Sequence, residues 1–414
     1  MKKVLRIILW SIVGILVAGY IFLFAAYNSY KPDEIKQEIS QEAVSYFNQS
    51  YEDCRAEFLS EAYKLKQTYS GVEVSKILVP SLTGQKLYVD LAYIPAQDTT
   101  VNLLILSSGI HGVEGFAGSA IQLMTIREVI NQEVLSNTGL LFIHALNPYG
   151  FKNNRRVSEN NIDLNRNCAI DPSLYDSNNE GYGNLFNMLN PQKEADHATS
   201  RNRNFHLIAI QKIIAESTPV LRQAVLQGQY EYPEGLYYGG EELEPQFQAL
   251  RPYLESYIAY YTRIATIDLH TGYGENGKMH LFPNPIKDPV IKQGVEDLFA
   301  GYEIDWGDSD DFYTILGSFA DWVGTLGNNK IYYPMVFEYG TLDSQKTFGS
   351  IRSLQNMILE NEGFYHGYEN DRTKEKINNQ FREMFYPSSP EWRTKVTLDS
   401  KEILGKVFER LGDI

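Results

Sequence analysis

Four apolar runs lie in the middle of the chain, and each is long enough for one buried β-strand. They are VNLLILSS (101–108), GLLFIHALN (139–147), IATIDLHTG (264–272) and KIYYPMVFEYGT (330–341). Helical patterns separate them, beginning with residues 117–131. Alternation of buried strands and helices predicts an α/β fold, with a mixed, mostly parallel sheet sandwiched by helices.

The segments around these runs carry other patterns. Apolar residues recur at three-to-five spacing over residues 33–67, which predicts a helix. GVEVSKILVP and QKLYVDLAYIP, within residues 71–95, predict a β-hairpin that turns at SLTGQ. Residues 171–205 are rich in Asn, Asp and Gly, and we interpret them as a long loop or insertion and as a candidate for the rim of a site. Residues 391–411 form an amphipathic pattern that predicts a C-terminal helix.

The N-terminus has the pattern of a membrane-spanning segment. Lys2, Lys3 and Arg6 precede residues 7–27, which contain no charged residue. At about 1.5 Å per residue, a helix of this length spans about 30 Å, the thickness of a bilayer core. We interpret it as a single transmembrane anchor with a cytoplasmic start, so that the rest of the chain is exported to the periplasm or the cell exterior. A cleaved signal peptide is the alternative.

These patterns divide the chain into four parts. Residues 1–30 are a cytoplasmic stub with the transmembrane anchor, and residues 31–70 are a helical linker or N-terminal helix. Residues 71–388 form the main domain, and residues 389–414 form a C-terminal helix packed on that domain.

Charge and cysteine content exclude some classes of partner and site. The net charge of -15 argues against nucleic acid as a partner, because an anionic surface repels phosphates. Cys54 and Cys168 are too few for a disulfide framework and too far apart for a two-cysteine metal knuckle.

The segment SSGIHGVEGFAG, at 107–118, sets His111 and Glu114 three residues apart directly after an apolar run. A His-x-x-Glu pair is weak evidence by itself, since His366 and Glu369 repeat it in a polar segment with no buried strand before it. In the first segment, glycines allow the chain to turn sharply after the strand. Two interpretations remain open at this point: a pair of metal ligands, or an ordinary strand-to-helix turn.

A third metal ligand is available at the end of another predicted strand. Zinc in catalytic sites takes three protein ligands and keeps one position for water. IDLHTG supplies His270, and Asp268 leaves the same face of that strand two residues earlier, where it could hold an imidazole. Taken alone, His270 fits equally well as a hydrogen-bonded core histidine.

Two more segments carry charges in unusual places. NNRRVSENNIDLNRN, at 153–167, contains three arginines, which bind carboxylates through a planar fork. It indicates either an anionic substrate or an ordinary solvated loop. Glu338 interrupts the apolar run MVFEYGT, where a carboxylate meets a metal, transfers protons or is paired structurally.

Together, six segments resemble the zinc carboxypeptidase superfamily, whose wider relatives include aspartoacylase and succinylglutamate desuccinylase. The resemblance runs in order over roughly residues 75–400 and is strongest to a bacterial and fungal branch described as a domain of unknown function. The segments are HGVEGFAGSAIQ, NPYGF, RRVSENNIDLNRN, GQYEYPEGLYYGG, DLHTG and FEYGT.

The resemblance implies a zinc-carboxypeptidase-like fold and a metal site in the main domain. One zinc ion would be held by His111, Glu114 and His270. Glu338 would be the general base that takes a proton from water and passes it to the leaving nitrogen. Asp163 would support His111 from outside the metal site.

The resemblance also implies how a substrate is bound. Asn165 and Arg166 would grip the terminal carboxylate of a peptide or an acyl-amino acid. Arg156 would polarise the scissile carbonyl, with Arg155 as the fallback. The tyrosine that digestive carboxypeptidases place over the substrate is not identified, and the three guesses are Tyr237, Tyr238 and Tyr339.

The function expected from these features is that of a zinc metallocarboxypeptidase. One alternative is an amidase or deacylase of N-acyl amino acids or cell-wall peptides, and a more distant one is an inactive binding module. A serine hydrolase is disfavoured because Gly-x-Ser-x-Gly is absent and Ser119 lacks the nucleophile-elbow pattern.

Overall fold

A computed structural model of the chain describes residues 2–306, 315–327 and 329–413. Across these residues, seven strands form one sheet in the order β1-β2-β4-β3-β5-β7-β6. The strands are β1 (Glu73–Val79), β2 (Leu87–Ile94), β3 (Asn102–Ser108), β4 (Thr138–His144), β5 (Arg263–Gly272), β6 (Met279–Leu281) and β7 (Ile331–Gly340).

The sheet is mixed, with a parallel centre. β4, β3, β5 and β7 are parallel neighbours, whereas the hairpin of β1 and β2 and the short β6 add antiparallel pairs at the two edges. Every residue of β3 and β4 is buried, as expected for strands covered on both faces by helices. The predicted strands, the hairpin and the α/β fold class are confirmed.

Helices cover both faces of this sheet and continue to the C-terminus. They are α1 (Lys2–Asn28), α2 (Gln41–Ser45), α3 (Tyr51–Thr68), α4 (Gly115–Met124), α5 (Pro148–Asn153), α6 (Leu164–Asn167), α7 (Glu180–Leu189), α8 (Ser200–Arg203), α9 (Phe205–Glu216), α10 (Thr218–Leu226), α11 (Pro245–Ala259), α12 (Pro289–Leu298), α13 (Phe319–Thr325), α14 (Thr347–His366), α15 (Asp371–Phe385) and α16 (Pro390–Asp413).

Two helix predictions are confirmed with small changes of boundary. The helix expected at residues 117–131 is α4, which continues as a single π-helical turn at Thr125–Val129. The amphipathic helix expected at residues 391–411 is α16, and its apolar face packs on α2, α4 and α12.

Two other predictions are wrong, for local reasons. The helix expected at residues 33–67 starts only at α3, after the short α2, because Ser40 and Ser50 each cap a new helix. Residues 171–205 are not one long loop, since they contain α7. The polar composition of that segment hides the apolar residues Tyr182, Leu185 and Leu189, which recur at helical spacing and are buried.

The N-terminal helix α1 is long and apolar enough to cross a membrane, and a signal sequence would meet the same criterion. Its last turn nevertheless belongs to the folded domain. Tyr27 is buried, its hydroxyl donates to Gln355 at 2.7 Å, and Arg352 donates to its carbonyl at 2.7 Å. The apolar helix therefore ends in a turn whose side chain, Tyr27, packs inside the domain.

Candidate metal centre

The turn after β3 presents His111 and Glu114 together. Gly109 opens the turn with a φ of +70°, a conformation that residues with a Cβ rarely adopt. A Cβ on Gly112 would lie 2.1 Å from the carbonyl carbon of Gly150, so the close approach of α5 requires glycine here. The glycines of this segment therefore serve both the bend and the packing of the turn.

His270 reaches the same place from β5. Since β3 and β5 pair Ser107 with Asp268, the turn after β3 lies beside the end of β5. His270 in turn pairs in register with Glu338 on β7, which sets their side chains next to each other on one face of the sheet. The ends of three neighbouring parallel strands thus supply the site.

Three possible ligand side chains converge at these strand ends. The Nδ1 atom of His111 lies 2.9 Å from Glu114 Oε1, the Nδ1 atom of His270 lies 3.1 Å from Glu114 Oε2, and the two Nδ1 atoms are 3.2 Å apart. A tetrahedral zinc ion with bonds of about 2.0–2.1 Å needs ligand atoms about 3.3 Å apart. The donor set of two imidazoles and one carboxylate therefore fits zinc. In the part of the chain that the structure describes, no other such group converges.

A carboxylate lies next to the Nε2 atom of each imidazole. His111 Nε2 lies 3.1 Å from Asp163 Oδ1, and His270 Nε2 lies 2.7 Å from Asp268 Oδ2. Ser107 donates a hydrogen bond of 2.7 Å to Asp268 and fixes the orientation of that carboxylate. At His270, an Nε2–H directed at Asp268 leaves the Nδ1 lone pair available to a metal.

The electrostatics of the cluster favour a positive charge at its centre. Burial alone would raise the pKa of Glu114, but the imidazoles of His111 and His270 lower it. Burial alone would lower the pKa of His270, but Asp268 and Glu114 raise it well above its usual range. The buried carboxylates therefore stabilise a cation between them, whether a proton or a metal ion.

Glu338 lies beside the ligand group and is only partly buried. It accepts a hydrogen bond of 2.9 Å from the backbone N–H of Tyr273. Burial and the Glu114 carboxylate raise the pKa of Glu338 to about 8, and a metal cation in the ligand group would oppose that shift. A glutamate with a pKa near neutrality can both accept a proton and return it.

Arg156 is the cation nearest to the ligand group. Its guanidinium donates to Asp163 at 3.1 Å and to Glu114 at 3.2 Å. It also lies 2.6 Å from His111 Nε2, so this nitrogen faces a carboxylate and a guanidinium at once. The ring of Tyr237 lies 5.4 Å from the same guanidinium.

Asn165 and Arg166 lie on α6 and line a cavity that the ligand group also lines. Arg166 donates to the carbonyls of Leu226 and Asn165, and within the described residues no carboxylate lies within 4.0 Å of it. The side-chain oxygen of Asn165 accepts from the backbone N–H of Phe319 at 3.0 Å. Arg166 is therefore a buried cation without a salt bridge among the described residues, and Asp163 is a carboxylate that interacts with its charge at longer range.

Arg155 does not join this group. Its guanidinium donates to Glu360 at 2.7 Å and to Asn361 at 3.4 Å, both on α14, and lies 3.5 Å from the centroid of the Phe364 ring. Arg155 does not line the cavity of the ligand group. The two adjacent arginines thus point to different partners, and Arg156 is the one at the ligand group.

A cavity of about 120 Å³, open to solvent, connects the ligand group with the two cationic residues Arg156 and Arg166. Its lining includes residues that the sequence patterns did not indicate: Tyr273, Phe282, Asn284, Ile315, Asp321 and Met357. Tyr273 closely follows DLHTG and could have been suspected from that position. The others lie in segments without a pattern, so no local signal identifies them.

Of the three tyrosines named from the sequence, Tyr237 alone lines the cavity. The hydroxyl of Tyr339 lies 2.6 Å from Ser400 on α16, on the opposite face of the sheet. Tyr238 lies outside the cavity lining. Tyr237 is therefore the one of these three candidates that lies at the cavity.

The side chains of other reaction types lie outside this cavity. Ser119 Oγ lies 3.2 Å from His144 Nε2, but both residues are buried, and burial lowers the pKa of His144 to about 3. Cys168 is buried, and burial raises the pKa of its thiol well above its usual range. Neither the Ser119–His144 pair nor the Cys168 thiol lines this cavity, so neither reaches a substrate there.

The family model described as "Protein of unknown function (DUF2817)" matches residues 47–399, and the chain belongs to this family. The match confirms the branch that the sequence resemblance named. No curated protein matches the chain.

Several solved structures are similar to the chain at low identity. Bovine thrombin-activatable fibrinolysis inhibitor, in complex with tick carboxypeptidase inhibitor, is 15% identical with a TM-score of 0.42, over 77% of this chain and 96% of its own. A metallopeptidase candidate from Shewanella amazonensis SB2B is 15% identical with a TM-score of 0.40, over 81% and 100%. Carboxypeptidase A from Helicoverpa armigera is 12% identical with a TM-score of 0.41, over 77% and 74%.

Proposed function

We propose that this member of the DUF2817 family is a zinc-dependent hydrolase of amide bonds next to a free carboxylate, most simply a carboxypeptidase. One observation carries the proposal: Nδ1 of His111, Nδ1 of His270 and the Glu114 carboxylate lie within 3.2 Å of their neighbours, while Glu338 adjoins them on the next strand. The group has three nitrogen and oxygen ligands, which is the set that catalytic zinc takes.

The side chains around the ligand group suit each step of amide hydrolysis. Zinc bound there lowers the pKa of water to about 7 and makes hydroxide available at neutral pH. Glu338 accepts a proton from the attacking water and returns it to the leaving nitrogen. Arg156, which donates to Glu114 at 3.2 Å, would stabilise the negative charge that develops on the carbonyl oxygen.

The second arginine suits the carboxylate of the substrate. Arg166 is buried, lines the cavity and has no carboxylate partner among the described residues, so an incoming carboxylate would supply its missing counter-charge. Asn165 lies beside it in the lining. This arrangement favours cleavage next to a free carboxylate over cleavage inside a long chain.

We further propose that α1 stays attached as a membrane anchor and that the hydrolase domain is exported. Lys2, Lys3 and Arg6 precede the apolar span, which favours a cytoplasmic start. The buried position of Tyr27 supports retention, because removal of α1 through this residue would leave a gap in the domain. Membrane fractionation, combined with Edman sequencing of the N-terminus of the isolated protein, tests both points.

The test of function is metal analysis followed by a substrate screen. The purified full-length protein in detergent should contain one zinc ion per chain and should hydrolyse peptides with a free C-terminus. The same peptides with an amidated C-terminus should be poor substrates, since Arg166 would lose its partner. A protein that binds zinc and cleaves no substrate would contradict the proposal and favour a binding module.

The screen also separates two kinds of hydrolase that share these residues. N-acyl amino acids and cell-wall peptides are included beside ordinary peptides, because Arg166 binds the carboxylate of all three. Preference for short acyl groups would indicate an amidase or deacylase instead of a carboxypeptidase.

A further inference from the structure

A second carboxylate lines the cavity far from the ligand group. Asp321 lies in the first turn of α13, and its carboxylate accepts a hydrogen bond from the side-chain amide of Asn284. Both residues line the cavity that contains His111 and Glu338. Neither has a role in the chemistry derived above.

The strand register shows how far Asp321 lies from the reacting centre. The pairing between β6 and β7 continues one residue past the end of β6, because Phe282 and Val336 exchange backbone hydrogen bonds of 2.9 and 3.1 Å. Two more residues in the same register would bring Asn284 opposite Pro334, which lies four residues before Glu338 on β7. At about 3.3 Å per residue, Pro334 lies about 13 Å from Glu338 along β7. Pro334, Asn284 and Asp321 all line the cavity.

The segment that carries Asp321 is attached to the residues proposed to bind the substrate carboxylate. Cys168, two residues after Arg166, donates from its backbone N–H to Gly317 at 3.0 Å, and Phe319 donates to Asn165 at 3.0 Å. The distance between Asp321 and the Asn165–Arg166 pair is therefore fixed by the fold. Arg166 and Asp321 line the same cavity.

The surroundings of Asp321 do not neutralise its charge. Among the described residues, Asn284 is the only side-chain donor to its carboxylate, and no lysine, arginine or histidine lies within 4.0 Å. The nearby lining is apolar and includes Ile315, Ala320 and Pro334. Burial raises the pKa of Asp321, which is the response of a carboxylate without a counter-charge.

We propose that Asp321 selects substrates whose leaving residue carries a long cationic side chain, such as an amine or a guanidinium. The cation would pair with Asp321 at the end of the cavity while Arg166 holds the carboxylate of the same residue. The amide of Asn284 orients the Asp321 carboxylate. This inference rests on the proposed function and adds the class of substrate.

A structural role for Asp321 is the competing explanation. An acidic side chain in the first turn of a helix stabilises it, and Ser318 caps α13 by accepting from the Asp321 backbone N–H at 3.5 Å. A purely structural role predicts a change in thermal stability and no change in the preference among substrates.

The test compares two peptides that differ in one charged group. They end in lysine or in norleucine, which has the same chain length without the amine. Zinc-loaded full-length protein should show a kcat/KM ratio of lysine to norleucine of about 10 to 100, the range expected for a charge-paired hydrogen bond. The ratio should approach one in Asp321→Asn, and Asp321→Lys should prefer a third peptide, which ends in glutamate, to both of these. An unchanged ratio in both variants would overturn the inference.

Asp297→Asn is the matched control. Asp297 also lies on a helix and accepts from one amide, that of Gln293 at 2.9 Å, but it is exposed and outside the cavity. This variant should keep the wild-type ratio. A melting temperature for each variant shows whether a folding defect accompanies the change.

A binding measurement separates the inference from the proposed function. Calorimetry with free lysine and free norleucine needs no turnover. Tighter binding of lysine that is lost in Asp321→Asn, without hydrolysis of any peptide, supports the cation pocket and contradicts the hydrolase. Hydrolysis of both peptides at equal kcat/KM supports the hydrolase and overturns the cation pocket. Absence of both lysine preference and hydrolysis overturns both.

Discussion

Residues 111–114 and residues 366–369 share the pattern His-Gly-x-Glu but adopt different arrangements. In the first segment, the His111 and Glu114 side chains meet at 2.9 Å and are buried. In the second, His366 ends α14, Gly367 has a φ of +84°, and Glu369 is exposed and accepts from Thr373 at the start of α15.

The difference arises from the elements that deliver each segment. The first follows a buried parallel strand whose neighbour brings His270 to the same edge of the sheet. The second joins two helices, and among the described residues no third ligand converges on it. Spacing alone therefore does not define a metal site, whereas the position of the segment at the carboxyl end of a central strand does.

The largest contrast is expected from removing one histidine in each region. His270→Ala should abolish zinc binding and hydrolysis, because a site with one imidazole and one carboxylate lacks the third ligand of catalytic zinc. His366→Ala should keep one zinc ion per chain and full activity. Metal content by inductively coupled plasma mass spectrometry measures both. Equal zinc loss in the two variants would remove the distinction between the segments.

The next effect concerns catalysis without loss of metal. Glu338→Gln should keep zinc and lower kcat by about 10²–10⁴-fold, the usual contribution of a general base. Glu369→Gln, the matched change in the second segment, should leave kcat at the wild-type value. Turnover by Glu338→Gln at the wild-type rate would contradict the proton-transfer role.

A smaller effect is expected from the carboxylate behind His270. Asp268→Asn keeps the side-chain volume but weakens the hydrogen bond to Nε2, and zinc affinity should fall by about 10- to 100-fold. Asp371→Asn, close to the second segment, is the control. Competition with a coloured chelator gives the affinities, and an unchanged Kd for Asp268→Asn would show that this contact does not support the ligand.

The smallest effects are expected in stability. Gly112→Ala would place a Cβ 2.1 Å from Gly150, so unfolding free energy should fall by up to about 3 kcal/mol through overpacking. Gly367→Ala meets no atom within 4 Å and is opposed only by the backbone conformation, with φ of +84° and ψ of -177°, a region nearly restricted to glycine that costs on the order of 1–3 kcal/mol. Urea unfolding measures both, and a larger loss for Gly367→Ala would reverse the expected order.

Local patterns sufficed for the strands of the sheet centre. The apolar runs at 101–108 and 264–272 match β3 and β5 because fully buried parallel strands read as continuous apolar segments. Local patterns did not predict α7, because the polar composition of its segment masked three apolar residues at helical spacing. The composition of a segment gives only its average polarity, whereas a half-buried helix needs only one stripe of apolar residues on one face.

The candidate site divides in the same manner. His111, Glu114, His270 and Glu338 follow or end apolar runs, and the chain brings them to one edge of the sheet. Arg155 and Arg156 are adjacent in sequence, so no local pattern distinguishes them. Their partners do, since Arg155 pairs with Glu360 and Arg156 lies against Glu114.

The sequence by itself determined which strands are buried and which polar side chains stand at their ends, because both depend on residues close together in the chain. Only the tertiary structure decided which arginine faces the ligand group and which side chains close the far end of the cavity. The far end of the cavity is lined by Asn284 from the segment after β6, Asp321 from α13 and Pro334 from β7. Register and packing bring these distant segments together. Such contacts between distant segments leave no period or motif in the sequence, so folding alone creates this part of the cavity.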